Sequence, residues 1–230
     1  AVGYGTLENS IAVANTAIGT YAGVAITTGI NNTVIGATAG DAITTGASNT
    51  LIGNNSGSVI TTGHTNTTVG NGCLPLCTTG DYNIAMGQAG GYGITTGSHN
   101  IGMGYLAGYA GSSTGTSNIF IGRESGKNGG QAATGGSNTC VGAYTMSGAW
   151  TDGAINTAIG VGAMGGITTG DNNSGLGNEA GKTGSPGGVV TTASNQMCLG
   201  DENIANAHIQ VDWTIASDKR DKTDVSPMDL

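Results

Sequence analysis

Apolar and polar positions alternate within a short phrase that recurs along most of the chain. The phrase has the form Asn-Thr-x-Ile-Gly, and three early copies lie at 15–19, 32–36 and 49–53. Its closing glycines are Gly3, Gly19, Gly36, Gly53, Gly70, Gly87, Gly104, Gly122, Gly142, Gly160, Gly177 and Gly200. The steps between them are 16 residues once, 17 five times, and then 18, 20, 18, 17 and 23. This period predicts a solenoid in which each copy forms one coil.

A second phrase, Ile-Thr-Thr-Gly, lies between copies of the first. It occupies 26–29, 43–46, 60–63, 94–97 and 167–170, and Cys77 replaces its Ile at 77–80. A 17-residue repeat is too short for two helices and a turn, but it suits one coil with two short strands, each ended by a glycine at positive φ. The sequence therefore predicts an all-β, parallel β-roll or β-helix solenoid of about twelve coils.

The same pattern predicts how the core is filled. The apolar residue before each closing glycine is expected to face the Ile of the second phrase, so that two aliphatic ladders form a narrow core. The first ladder would contain Ile18, Ile35, Ile52, Val69, Met86, Met103, Ile121, Val141, Ile159 and Leu176. The recurring Asn is expected to bond turn backbone within its coil and to stack along the rod. Because such a thin coil buries little apolar surface, we expect side-by-side association as a homotrimer.

Composition and charge exclude several classes of protein. The chain has 45 glycines but only 3 prolines among its 230 residues, without a three-residue period, which excludes collagen. Its net charge is −8, and its first basic side chain is Arg123, so neither a nucleic-acid partner nor a basic membrane-binding patch is expected. No apolar run approaches the roughly 20 residues that span a bilayer.

Candidate chemistry is sparse. Cys73, Cys77, Cys140 and Cys198 are interpreted as small apolar core residues, since their spacing resembles no zinc motif. The histidines are isolated turn residues by their positions. No metal site, cofactor or substrate-directed enzyme activity is predicted, because no paired carboxylates or Ser/His/Asp set recurs.

The insertions are the candidate recognition sites. Residues 123–137 and 143–155 lengthen their coils and hold more varied side chains than earlier coils. Loops on a rigid scaffold often carry binding. Arg123, Tyr144 and Trp150 are therefore candidate receptor-binding residues, with Tyr144 and Trp150 suited to stack on a sugar ring. The alternative is that these insertions are loop variation on a shaft and bind nothing.

The repeats at 1–200 resemble two known groups. One is the head of trimeric autotransporter adhesins, left-handed parallel β-rolls with Asn-Ser-x-Ala-Ile-Gly phrases. The other is the repeat region of phage tail fibres, in which Thr-Thr-Gly spacers are common. A strand-like or cap segment is expected at 201–216, where the composition changes.

The segment 217–230 carries a further resemblance. Its opening, Ser-Asp-Lys-Arg-Asp-Lys, is similar to the Ser-Asp-x-Arg-x-Lys start of the endosialidase-type intramolecular chaperone domain of phage fibres and spikes. The resemblance implies that Ser217 is the nucleophile and Lys222 the general base of self-cleavage. Because that domain is far longer in the family, 217–230 is interpreted as its truncated start, and no autoproteolysis of this chain is expected.

Together these features predict a structural fibre segment of a phage tail fibre or similar virion appendage. Its location would be extracellular, and its partners would be its own copies and a host surface glycan or protein. One alternative is a bacterial trimeric adhesin head at the cell surface. Another is an ice-binding β-solenoid that uses the stacked Thr-Thr pairs.

Overall fold

The chain forms a parallel β-solenoid, as its period predicts. The computed structural model describes residues 1–185 and 188–205. One long sheet holds eleven strands, hydrogen-bonded in chain order and all parallel. They are β1 (Thr16–Ile18), β2 (Thr33–Ile35), β3 (Thr50–Ile52), β4 (Thr67–Val69), β5 (Ile84–Met86), β6 (Ile101–Met103), β8 (Ile119–Ile121), β10 (Thr139–Val141), β11 (Thr157–Ile159), β12 (Ser174–Leu176) and β13 (Met197–Leu199). Val2 adds a parallel bridge to Ile18.

The chain forms a strand at the position of the second phrase in only a few of the described coils. A two-stranded sheet pairs β7 (Ser112–Ser113) with β9 (Ala132–Ala133), where the coils carry insertions. At an early coil the backbone N–H groups of Thr27, Thr28 and Gly29 all donate to the carbonyl of Thr44, at 3.0, 3.3 and 3.2 Å. Because three donors converge on one acceptor, the backbone bends there instead of extending. The prediction of two strands in every coil is therefore wrong.

The middle residues of the strands in the long sheet form the ladder that faces the core. These residues are buried, and they are Ala17, Val34, Leu51, Thr68, Ala85, Gly102, Phe120, Cys140, Ala158, Gly175 and Cys198. The residue before the closing glycine points outward instead, and Ile18, for example, is 44% exposed. The prediction that this residue fills the core is wrong, because side chains alternate along a strand and the middle position already faces inward.

The opposite wall of the core agrees with the sequence pattern. The second-phrase residues Ile26, Ile43, Ile60, Cys77, Ile94 and Ile167 are all buried. They lie in the same clusters as the middle strand residues, in one cluster before the insertions and another from Ala107 onward. The core is thus one aliphatic ladder facing a ladder of mixed size.

The recurring asparagines form the predicted ladder inside the rod. The N–H of Asn32 donates to Oδ1 of Asn15 at 2.9 Å, and Nδ2 of Asn32 donates to the carbonyl of Gly46 at 2.8 Å. Equivalent bonds continue through Asn49, Asn66 and later coils. The partners lie in neighbouring coils, so these bonds join coils instead of bracing one coil internally as expected.

The two recurring glycines are required for different reasons. Gly53, which closes a strand, has φ of 134°, a region that L side chains rarely adopt. Gly29, in the second phrase, has no such φ, but a Cβ there would lie 2.2 Å from the carbonyl oxygen of Gly46. Positive φ was expected at both. Close stacking of backbone on backbone explains the second glycine instead.

Candidate interaction surfaces

The outer face of the long sheet is the largest regular surface. It is formed by the first and third residues of its eleven strands, and we call it the outer face. The third positions are all apolar: Ile18, Ile35, Ile52, Val69, Met86, Met103, Ile121, Val141, Ile159, Leu176 and Leu199. The first positions are Thr16, Thr33, Thr50, Thr67, Ile84, Ile101, Ile119, Thr139, Thr157, Ser174 and Met197. No described residue at either position is charged.

This outer face is exposed in the single chain. Ile18, Ile159 and Leu176 are 44, 40 and 55% exposed. Eleven strands at about 4.8 Å make a stripe about 50 Å long and roughly 10 Å wide, or roughly 500 Å². This area is near the upper end of the largest apolar patch on a typical monomer, and such patches are often binding surfaces.

A shallow apolar depression lies at the C-terminal end of the outer face. It has a volume of about 160 Å³ and lies between β11 and β13, with Ile159, Leu176, Met197 and Leu199 in its lining. The small residues Ser174 and Gly175 also line it, between the larger side chains. An apolar side chain of another molecule fits such a depression.

A second surface lies at the corner where the repeat is interrupted. Arg123 and Glu124 follow β8, and Tyr144 lies one coil later. The Arg123 guanidinium carbon is 5.3 Å from the centroid of the Tyr144 ring, within cation–π range. Lys127 Nζ is 2.8 Å from Glu124 Oε2, and Arg123 Nε is 3.6 Å from Glu124 Oε1. The structure therefore brings two of the candidate receptor-binding residues, Arg123 and Tyr144, into contact.

The hydrogen bond from Lys127 keeps the Glu124 carboxylate charged. This bond, with the charges of Lys127 and Arg123, holds the pKa of Glu124 below its ordinary value. The Glu124 carboxylate is therefore an acceptor at neutral pH, beside cationic donors.

A polar cavity of about 450 Å³ opens beside these groups. Glu124, Lys127, Asn128, Gln131 and Tyr144 are in its lining. Sequence reasoning did not select Asn128, and the signal for it is the 20-residue step from Gly122 to Gly142, the first large departure from the period. The extra residues widen their coils and lengthen the loop that contains Asn128.

Trp150 does not share this surface. Its side chain is 1% exposed and packs against Phe120, with ring centroids 5.7 Å apart. Its Nε1 donates to the carbonyl of Gly126 at 3.1 Å. The prediction that Trp150 stacks on a receptor sugar is therefore wrong, because the core of the widened coils encloses the ring.

The four cysteines are buried free thiols, as the core interpretation predicts. Burial raises the pKa of Cys77 to about 11, and burial also raises the pKa of Cys140. A raised pKa leaves little thiolate at neutral pH, so these side chains are poor nucleophiles and poor metal ligands. Across the described residues, no group of three or more Cys, His, Asp or Glu side chains is placed to hold a metal ion.

Two histidines lie at exposed turns, as predicted. His64 Nδ1 accepts the N–H of Ala47 at 3.0 Å, and the His99 ring stacks on Tyr82 with centroids 4.9 Å apart. Both interactions join neighbouring coils. Neither ring is part of a ligand set.

The Thr-Thr pairs form a separate corner of the rod. The first Thr of a pair donates its hydroxyl to a carbonyl of the next coil, as Thr27 and Thr44 do at 3.1 and 3.2 Å. The second Thr, for example Thr28 or Thr45, is exposed. Only one hydroxyl of each pair is therefore free to face the solvent.

Ser217 and Lys222, which the resemblance predicts as self-cleavage residues, lie outside the described residues, as does the 206–230 segment. Within the part of the chain that is described, no helix is long and apolar enough to cross a membrane. Comparison with protein-family models, curated proteins and solved structures finds no match to this chain.

Proposed function

We propose that this chain is a rigid structural segment of a fibre, and that three copies associate through their outer faces. The observation that carries the proposal is the uncharged apolar stripe along all eleven strands. Because one coil has so thin a core, covering this stripe stabilises the rod along its whole length. A trimer is the smallest closed arrangement in which each outer face contacts two neighbours.

The setting that we propose is a phage tail fibre or similar virion appendage. The proposed rod has about twelve coils, and the Val2 bridge belongs to the first of them. The Asn-Thr-x-Ile-Gly repeat and the Ser217-to-Lys222 phrase support this setting by resemblance. The stacking of coils through backbone and Asn hydrogen bonds suits a shaft that bears mechanical load. Arg123 and Tyr144 remain the proposed receptor contacts.

Charge placed on the outer face tests the self-association. Ile18→Glu with Ile159→Glu introduces two carboxylates on exposed strand positions, and burying them at an interface is costly. The matched control, Thr28→Glu with Thr169→Glu, adds the same charge at exposed positions of another corner. Light scattering after size exclusion is expected to show monomers for the first variant and the wild-type assembly for the control. Equal assembly of both variants would contradict the proposal.

The alternative functions differ in measurable ways. An adhesin head shares the outer face, so immunogold labelling of purified virions separates it from a tail fibre. An ice-binding solenoid needs a regular array of free hydroxyls. The hydroxyls of Thr27, Thr44 and Thr61, each the first of its pair, instead donate to carbonyls of the next coil. We expect no thermal hysteresis, and measurable hysteresis would favour the ice-binding alternative.

A further inference from the structure

The cavity beside Tyr144 lies where the chain departs from its repeat. The 20-residue step between Gly122 and Gly142 adds a loop that includes Gly129 and Gly130. A Cβ at either glycine would meet no atom within 4 Å, so both glycines border open space, while the Gly130 carbonyl packs closely against Gly111 of the preceding coil. The stacked coils beneath it are held by the Asn ladder, which gives the loop a rigid base.

The loop is anchored by a buried amide with one unused acceptor. Asn128 is 1% exposed, and its Nδ2 donates to the carbonyls of Gln131 and Trp150 at 2.9 and 3.2 Å. Its backbone N–H donates to the carbonyl of Tyr109 at 3.0 Å. Its Oδ1 has no partner. The three hydrogen bonds therefore hold the loop in place, and the enclosed Oδ1 presents no surface to the cavity.

The rest of the cavity lining provides hydrogen-bond donors, hydrogen-bond acceptors and an aromatic ring. Glu124 supplies carboxylate acceptors that Lys127 holds in place, and Lys127 supplies ammonium donors. Tyr144 lines the same cavity and is fixed by Arg123. These side chains surround a space of about 450 Å³, within the range of small-ligand sites.

We propose that this cavity binds one neutral hexopyranose unit of a saccharide. A sugar hydroxyl both donates and accepts, so it matches the carboxylate of Glu124 and the ammonium of Lys127. The apolar face of a pyranose ring packs on an aromatic side chain such as Tyr144. Glu124 pairs with both nearby cations, Lys127 and Arg123, so neither is left as an unpaired anchor for an anionic ligand. The proposal deepens the receptor contact of the proposed function and rests on that part of it.

Saturation-transfer NMR on the full chain tests the proposal. The probes are the methyl glycosides of glucose, galactose, mannose and N-acetylglucosamine, with inorganic phosphate as the anionic competitor. At least one glycoside is expected to receive saturation from the wild type. Tyr144→Ala and Glu124→Gln are each expected to weaken its binding at least tenfold, with unchanged melting temperature for Glu124→Gln. Tyr105→Ala, at an exposed ring outside the cavity lining, is expected to bind as the wild type does.

Three results would overturn the saccharide site. They are no saturation of any glycoside, binding that Tyr144→Ala and Glu124→Gln leave unchanged, and displacement of the glycoside by phosphate. The molar mass of the wild type in the same sample reports self-association separately. A trimer without glycoside binding would therefore contradict the cavity proposal alone, and a monomer that binds a glycoside would contradict the trimer alone.

Discussion

Two corners of each coil are turned by residues in the left-handed region, and most of these residues are not glycine. Tyr21, Thr38 and Asn55 turn one corner, and Asn31 and Ile155 are examples at the other. A β-branched side chain in this region is strained, whereas Asn tolerates it. The coils thus contain local strain that stacking of their neighbours outweighs.

Ile155→Asn is expected to stabilise the protein. Ile155 has φ of 58° and is 61% exposed, so its side chain contributes little packing to offset the strain. Asn stands at the equivalent corner in other coils, for example at Asn172. We expect the free energy of unfolding to rise by about 1 kcal/mol, measured by denaturant titration. Ile30→Asn, at an exposed position without positive φ, is the control, and an equal effect of both changes would contradict the strain argument.

Gly29→Ala is expected to be more disruptive than Gly72→Ala. At Gly29 the added methyl would lie 2.2 Å from the carbonyl of Gly46, so two coils must separate. At Gly72 it would meet nothing within 4 Å, and only the left-handed φ of 60° carries a cost. We expect a loss of about 3 kcal/mol at Gly29 and about 1 kcal/mol at Gly72 by urea denaturation. The reverse order would contradict the claim that close coil stacking explains the second-phrase glycine.

At the scale of the coil, the Asn ladder is the main set of side-chain hydrogen bonds between neighbouring coils. Asn66 donates to Asn49 Oδ1 and to the carbonyl of Gly80, and its own Oδ1 accepts the N–H of Asn83. All of these groups lie inside the rod, where water does not replace a lost partner. The ladder therefore joins coils by side chains in addition to backbone.

Asn66→Ala is expected to destabilise the rod by about 3 kcal/mol, because it leaves a buried N–H and a buried carbonyl unpaired. Asn54→Ala, at an exposed asparagine, is expected to change the free energy of unfolding by less than about 0.5 kcal/mol. Thermal unfolding followed by circular dichroism distinguishes them. Similar melting temperatures for the two variants would contradict a structural ladder.

The period and the fold class were predictable, but the direction of the strand side chains was not recognised. Asn15 and Ala17 both point inward, as two-residue alternation requires, and Ile18 therefore points outward. The inward position was obscured by its variable size. Leu51 is accommodated by Gly57, where a Cβ would lie 2.8 Å from Leu51 Cδ1, and Met164 fills the space above Gly175. A large side chain at one position is matched by a glycine at another only because the two touch in the folded protein. The repeated Asn-Thr-x-Ile-Gly phrase does not show this pairing.

At the scale of the molecule, the repeat predicts a regular rod, and the insertions predict where its coils depart from that regular structure. Arg123 and Tyr144 were selected from composition and do meet, since they lie on one corner in neighbouring coils. Trp150 was selected by the same reasoning, but its ring fills the core of the widened coils. Aromatic type alone does not distinguish a binding side chain from a core side chain. The cavity lies beside a loop that the buried Asn128 anchors, and only the folded chain reveals that anchor.

The central claim is that the outer face is covered by further copies of the same chain. Sedimentation equilibrium of the wild type at micromolar concentration measures this directly, because it gives the molar mass without assuming a shape. The expected result is three times the 22.4 kDa of one chain, unchanged on dilution through the micromolar range. A mass of 22.4 kDa under the same conditions would contradict the claim and leave the apolar outer face without its proposed partner.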